Sequence, residues 1–415
     1  MKKLHAALII APLIVVAARG AEPSAASVES NVTAAAKFAA GRLSAFAAAT
    51  EPSKSPPKRI VCVYYTPSDR KPPAGHRERL TRVMSDIQKF FAEEMARHGL
   101  GPRTVQYDLD REGLIRFHYV SGKHPTDYYL GRDFRKGYEI RAEAKPTLAA
   151  LGIDDERETV VYFCHLRTEQ DGKTMGIGPY YGSGAREGVF RDGRCWFTDA
   201  SILDPRNLAD AKTMLDDEEY GKVSIGRYNS IFIGGTAHEL GHGLGLPHTK
   251  ERHDEAVRGT SLMGSGNRTY GEQLRGEGRG SFLVLADALR LASHPIFSGT
   301  SHDIARAPEG KIDDLKLEVR GKLLHVSGRI KTAVAPYAVI AYNDPEGNSD
   351  YNATSWIASL DDDNSFTCDV GEFAADTKAE LRIIICHVNG ATSVVRRNVL
   401  VDNAGTPALT SEGTP

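Results

Sequence analysis

From Arg59 onward the chain breaks into short apolar runs divided by polar turns. Arg59–Tyr65 is a β-branched, apolar stretch of strand length. Leu80, Val83, Met84, Ile87, Phe90, Phe91 and Met95 then recur at steps of three and four, the spacing that lines one helix face, and Gly99 stops the pattern. Thr104–Tyr107 and Leu114–Val120 predict further strands, and Thr159–Cys164 a buried one. Glu139–Leu151 predicts a helix broken or bent near Pro146. Two more helices are expected, one from about Ser230 and one over Ser281–Ser293, closed by His294-Pro295. Strands alternating with helices imply a mixed sheet with helices packed on it. After roughly residue 308 the period shortens to two. Leu315–Val319, Leu323–Ile330, Tyr337–Tyr342, Ser355–Leu360 and Leu381–His387 are alternating runs set off by Gly, Asn and Asp turns. That spacing predicts a β-sandwich of immunoglobulin-like type. The expected class is α+β with an all-β module behind it.

The N-terminus reads differently. Lys2 and Lys3 precede a largely apolar run from Leu4 to Ala18, and Ala18-Arg19-Gly20 offers small residues at a cleavage spacing. This is the layout of a secretory signal peptide, so export is expected, to the medium, the periplasm or the cell surface. The run is shorter than the ~20 apolar residues a span needs and contains Pro12. No later stretch is long and apolar enough to span, so no stable membrane insertion is expected. Residues 21–57, rich in Ala, Ser and Pro, read as a flexible leader or linker with an Ala-rich helix around Val32–Ala49. As a propeptide they would lack a cysteine to block a metal. The expected organisation is a signal peptide over 1–20, the leader over 21–57, a catalytic unit over 58–300, a linker over 301–310, the β-sandwich over 311–404 and a disordered tail over 405–415.

Composition narrows the partners. A chain of 415 residues suits about two domains of ~100–200 residues each, and its 41% hydrophobic content is ordinary for a globular protein. A formal net charge of −2 argues against nucleic acid or an anionic membrane as the main partner. The five cysteines, Cys62, Cys164, Cys195, Cys368 and Cys386, leave at least one unpaired within a monomer. Cys368 with Cys386, and less directly Cys164 with Cys195, are the pairings considered; burial as small apolar side chains is the equal alternative.

Residues 238–248 read His-Glu-Leu-Gly-His-Gly-Leu-Gly-Leu-Pro-His. Residues four apart share a helix face, so His238 and His242 can aim their imidazoles at one point. Gly245 falls where the chain must turn sharply, a position where positive φ favours glycine, and the turn can return His248 to the same point. Three neutral imidazoles leave a fourth tetrahedral position open for water, the mark of a catalytic rather than a structural zinc site. Glu239, beside the first ligand, is placed to take a proton from that water. The helix itself is poor by propensity. Gly234, Gly235, Gly241 and Gly243 each cost ~1 kcal/mol relative to alanine in a helix interior, so packing and a metal are needed to hold it.

The stretch resembles the HExxHxxGxxH zinc signature of the metzincin metallopeptidases. That family also carries a methionine turn under the metal, and Ser261-Leu262-Met263-Gly264 fits it. The resemblance implies a metzincin-like zincin catalytic domain with a mixed twisted sheet, an active-site helix and a C-terminal helix. It further implies one catalytic Zn2+ held by His238, His242 and His248, Glu239 as general base, Met263 as the structural Met-turn and Gly245 as the turn glycine. The partner implied is a protein or peptide substrate that pairs with an antiparallel edge strand of the sheet. Gly178–Phe190 is the candidate for that strand. At the two-residue spacing where some metzincins carry a tyrosine this chain has Ser265, and Tyr270 stands too far along.

Other candidates carry less. His253 follows His248 by five residues, but the glycine spacing selects His248; His294 reads as a helix terminator. Asp216-Asp217-Glu218-Glu219 and Asp361-Asp362-Asp363-Asn364 offer oxygen ligands for calcium, although such acidic runs are ordinarily solvated turns. The function expected is a secreted zinc-dependent metalloendopeptidase. The alternatives are a zincin-like surface or binding protein that does not cleave, and a zinc hydrolase of a non-protein amide.

Overall fold

The computed structural model describes residues 25–50, 57–131, 133–345, 347 and 351–409; the expected signal peptide lies outside the described residues. Helix α1 (Ala25–Ala49) is longer than the sequence pattern suggests and is docked onto the body. Ala36, Ala39 and Leu43, spaced three and four apart, are buried in the main apolar core. Phe46 stacks on His302, and Arg42 pairs with Asp362 of the C-terminal region at 3.3 Å. The segment expected to be a flexible leader is thus, over α1, a packed element.

The first half is built on a five-stranded sheet in the order β2-β1-β3-β7-β6. In chain order its parts are β1 (Val61–Thr66), α2 (His76–Arg97), β2 (Phe117–Ser121), the short α3 (Thr126–Tyr129), α4 (Phe134–Ala150) and β3 (Val160–Cys164). The small strands β4 (Thr168–Gln170) and β5 (Lys173–Met175) follow, then β6 (Tyr181–Ser183) and β7 (Arg194–Thr198). Strands β2, β1, β3 and β7 are parallel and β6 is antiparallel at the edge. Both faces are covered, so β1 and β3 carry continuous apolar runs. Cys62, Tyr64, Val161 and Phe163 face the core that holds α2, while Val63, Tyr65, Val160 and Tyr162 pack with Ile140, Ala144 and Leu148 of α4.

Local expectations are adjusted in several places. Thr104–Tyr107 forms no strand and joins the sheet only through a bridge from Tyr107 to Ile60. Helix α4 runs unbroken through Pro146, whose exposed position, with exposed Ala142 one turn earlier, lets water satisfy the carbonyl that lacks a donor. The helix expected from about Ser230 starts five residues earlier. It is α5 (Ile225–Gly243), which follows β8 (Met214–Asp217) and β9 (Gly221–Ser224) and is capped by Ser224 Oγ accepting from the Arg227 N–H at 3.1 Å. Ser281–Phe282 is not helical: it forms β11 beside β10 (Thr260–Ser261), and α6 (Leu285–Ala292) and the short α7 (Pro295–Ser298) come after it.

The C-terminal region is entirely antiparallel. One sheet has the order β12-β13-β17-β16, formed by β12 (Lys311–Arg320), β13 (Leu323–Lys331), β16 (Ser359–Leu360) and β17 (Ser365–Val370). The other has the order β15-β14-β18-β19-β20, formed by β14 (Pro336–Asp344), β15 (Thr354–Ile357), β18 (Lys378–His387), β19 (Thr392–Val401) and β20 (Pro407–Leu409). Strand β20 falls within the stretch expected to be a disordered tail. Val326, Val339, Phe366, Ile383 and Ile385 fill the space between the sheets. The alternate residues Ile340, Tyr342, Ile384 and Cys386 point the other way and belong to the same core as α5 and α6. Strand β14 is therefore buried along its whole length. Tyr337 Oη donates to Ser293 Oγ at 3.0 Å, and Arg252 Nη1 donates to the Ser355 carbonyl at 2.8 Å, so polar bonds cross the same junction.

All five cysteines are free and buried, against the pairings considered from sequence. Geometry explains this. Cys368 faces the sandwich interior whereas Cys386 faces out toward α6. Val161, not Cys164, is the residue opposite Cys195 in the β3–β7 register, and an offset of three puts Cys164 on the other face of the sheet.

Candidate metal centre

Helix α5 is buried almost throughout, and its glycines sit where neighbours press against it. At Gly241 an added Cβ would lie 2.4 Å from Met263 Sδ. The glycines that weaken the helix locally are what allow Met263, fully buried, to reach its underside. The helix ends at Gly243, and Gly245 takes φ 86°, reversing the chain so that His248 returns beside the helix.

His238, His242 and His248 converge. Nε2 of His242 lies 3.1 Å from Nε2 of His238 and 3.1 Å from Nε2 of His248. The opposite ring nitrogens fix the tautomers: His238 Nδ1 faces the Leu262 carbonyl at 2.7 Å and His242 Nδ1 faces the Leu246 carbonyl at 2.9 Å. A carbonyl only accepts, so each Nδ1 carries the proton and each Nε2 turns a lone pair inward. Burial lowers the His238 pKa to about 4, and burial together with its imidazole neighbours lowers that of His242 well below the usual value. Neutral nitrogens about 3 Å apart match the edge of a tetrahedron around an ion with bonds of ~2.0–2.1 Å. The donor set fits zinc. Among the described residues this is the one group of three or more His, Cys, Asp or Glu side chains arranged to hold a metal.

Glu239 stands beside the three rings. Its Oε2 accepts a hydrogen bond from the Gly182 N–H of the edge strand β6 at 2.7 Å. Burial pushes its pKa up to about 7, against the opposing pull of that N–H and of the Arg186 charge. The same carboxylate faces a cleft of about 480 Å³ whose walls include Tyr180, Tyr181, Gly182, Arg186, Asn267 and Tyr351. Tyr351, carried by the loop between β14 and β15, stacks on His248 with ring centres 3.6 Å apart. The C-terminal sheets therefore lend a side chain to the site. The sequence gives no sign of this, because 103 residues of chain separate Tyr351 from His248 and no local pattern links them.

The remaining candidates fall elsewhere. Strand β6 lies within the predicted Gly178–Phe190 segment, which is the antiparallel edge nearest Glu239. Ser265 is exposed, and Tyr270 is buried away from the cleft, its Oη donating to Asp86 Oδ2 at 2.6 Å. His253 is an exposed loop residue beside Glu372, and His294 caps α7 by accepting from the Ile296 N–H at 3.2 Å. Neither acidic run gathers as a calcium site would. Asp217 is buried against Arg167 and accepts from the Glu219 and Tyr220 N–H groups. Asp361 and Asp363 turn the chain around Ser365, and Asp363 pairs with Arg329.

No protein-family model matches the chain, and no curated protein matches it. Solved structures do. Wild-type OgpA from Akkermansia muciniphila, in two crystal forms, is 23% identical with a TM-score of 0.67, covering 84% of this chain and 95% or 94% of that one. Catalytically inactive OgpA in complex with an O-glycopeptide substrate, glycodrosocin, is likewise 23% identical, with a TM-score of 0.68 over 84% of this chain and 95% of that one. At this identity the likeness establishes a shared fold across both halves of the molecule.

Proposed function

We propose that the chain is an exported zinc-dependent endopeptidase of metzincin type, and that its substrates are peptides bearing O-linked sugars. One observation carries the reading: three imidazole Nε2 atoms converge within 3.1 Å steps directly beside a carboxylate anchored to a sheet edge. His238, His242 and His248 would hold the metal, with Met263 packed beneath them and Gly245 turning the chain. Zinc, when bound, supplies a Lewis acid for the scissile carbonyl and an acidified water. The chain's own groups do the rest. Strand β6 is the antiparallel edge of the sheet, along which an extended peptide can be laid as an added strand. Glu239, held by the Gly182 N–H, takes the proton of the attacking water and returns it to the departing amine nitrogen. Its pKa, raised by burial to about 7, supports a side chain able to hold a proton between those two steps. The O-glycopeptide class comes from OgpA, whose inactive form was captured with such a substrate. Export rests on residues 1–20.

The test pairs metal analysis with cleavage. Purified protein should contain about one zinc per chain and cut an O-glycosylated peptide faster than its sugar-free counterpart. Glu239→Ala should keep the zinc and lose the cleavage. Zinc-loaded wild type that cuts neither peptide at any pH would remove the peptidase reading. Equal rates on both peptides would remove the glycopeptide preference alone. N-terminal sequencing of exported protein checks the cleavage site.

A further inference from the structure

Arg186 is the one arginine in the cleft wall whose guanidinium makes no hydrogen bond or ion pair among the described residues. Its backbone, by contrast, is clamped. The Arg186 carbonyl accepts from Arg290 Nη2 at 2.7 Å and from Thr392 Oγ1 at 3.1 Å, and Gly188 exchanges two backbone bonds with Thr392 at 2.9 Å. Arg290 also donates to the Gly245 carbonyl at 2.8 Å, tying this segment to the turn that positions His248. The carboxylates that might have neutralised Arg186 are otherwise engaged. Glu187 pairs with Arg396. Glu239 feels the Arg186 charge but spends its Oε2 on Gly182.

The other cleft arginine shows the contrast. Arg167 pairs through its two terminal nitrogens with Asp217 and Glu219. Half-burying a guanidinium without a partner costs free energy, and burial lowers the Arg186 pKa accordingly. A rigid backbone, an unsatisfied planar fork of donors and an open cleft together make a preorganised acceptor site for an anion. Arg186 also lies three residues beyond the last residue of β6, on the segment that would run alongside a bound peptide near its scissile bond.

We propose that Arg186 is a specificity subsite that binds a carboxylate carried by the substrate close to the scissile bond. This rests on the peptidase reading. Two sources share the chemistry, an Asp or Glu side chain of the peptide and the carboxylate of an acidic sugar on its glycan, and the experiment separates them. Peptides with Glu or Gln scanned across the positions flanking the cleavage point form one arm. A glycopeptide with and without its acidic sugar forms the other.

In whichever arm holds the natural source, the carboxylate should raise kcat/KM by about ten-fold or more, the scale of one charge-assisted hydrogen bond. Arg186→Gln should abolish that difference, and Arg186→Glu should invert it in favour of Lys at the same position. Inversion is a result that a merely structural role would not produce. Absence of a carboxylate preference in both arms overturns the proposal, as does a preference that survives Arg186→Gln in a protein with wild-type melting temperature. A binding measurement keeps the subsite distinct from the activity. Fluorescence anisotropy of the same peptides on Glu239→Gln, with and without Arg186→Gln, should show the same carboxylate dependence whether or not any peptide is cut. Binding indifferent to both the carboxylate and Arg186 also overturns it.

Discussion

Replacing Gly182 by alanine tests the coupling between the sheet edge and the carboxylate beside the histidines. An alanine Cβ at this position would stand 1.9 Å from the Glu239 carbonyl oxygen, 2.8 Å from its carbonyl carbon and 2.9 Å from the Gly243 nitrogen. All three are main-chain atoms of α5, so no side chain can swing aside. Reaching the ~3.5 Å of ordinary contact requires β6 to retreat by about 1.5 Å. The hydrogen bond from the Gly182 N–H to Glu239 Oε2, now 2.7 Å, would then exceed the range in which such a bond exists. A hydrogen bond to a charged group contributes about 1.5–3 kcal/mol, so kcat/KM on a cleaved peptide should fall by about ten- to a hundred-fold. The fall should appear largely in kcat, because the carboxylate acts on the reacting proton, with a smaller rise in KM from the displaced edge. The assay is steady-state cleavage of a fluorogenic peptide, read beside the thermal unfolding curve. Activity within two-fold of wild type in a normally melting protein would show that β6 does not support Glu239 in this way.

Three further outcomes follow from single sites. Asp287 is fully buried, accepts from Thr249 Oγ1 at 3.2 Å, and has its pKa pushed up to about 8 by burial. The unfolded chain sheds this proton near pH 4 while the native protein keeps it to about pH 8, so stability should fall as pH rises through that window. Asp287→Asn should gain about 5 kcal/mol relative to wild type between pH 4 and pH 8 in urea titrations, the free energy of a pKa moved from near 4 to about 8, and parallel pH profiles for the two would refute the assignment. Gly245→Ala meets both a φ of 86° and the Ala185 carbonyl oxygen at 2.5 Å. It should lose about 1–3 kcal/mol and retain less zinc by elemental analysis; full zinc content would show that the turn does not set His248. Finally, a thiol reagent should find five reactive cysteines only after denaturation, and a reductant should leave the melting temperature unchanged.

Much of the site was legible in the sequence because its parts are close along the chain. His238 and His242 are related by the helical period, Gly245 by the need for a turn and His248 by the distance that turn allows. Met263 is readable only alongside them, yet its place under Gly241 follows the expected pattern. The alternation of strands and helices before residue 300, and the period of two after it, likewise follow from local rules about which side chains face a core. The edge strand was approachable as a glycine-rich segment, although only its pairing with β7 reduced thirteen residues to Tyr181–Ser183.

What the tertiary structure alone decided are the contacts between residues distant along the chain. Tyr351 reaches His248 because the outer face of β14 and β18 packs in the core that holds α6, and that packing brings Tyr351, on the loop between β14 and β15, to the cleft wall. Arg186 finds no hydrogen-bond or ion-pair partner for its guanidinium among the described residues, and its neighbour Glu187 pairs with Arg396 instead. Cys164 and Cys195 stay apart because strand register places them on opposed faces of the sheet. The alanine-rich leader becomes a docked helix because the body supplies an apolar seat for Ala36, Ala39 and Leu43. Helical and strand periods record which face of an element is buried, but not which distant element will bury it. The grouping of His238, His242 and His248 could therefore be expected from the sequence, whereas the walls of the cleft could not.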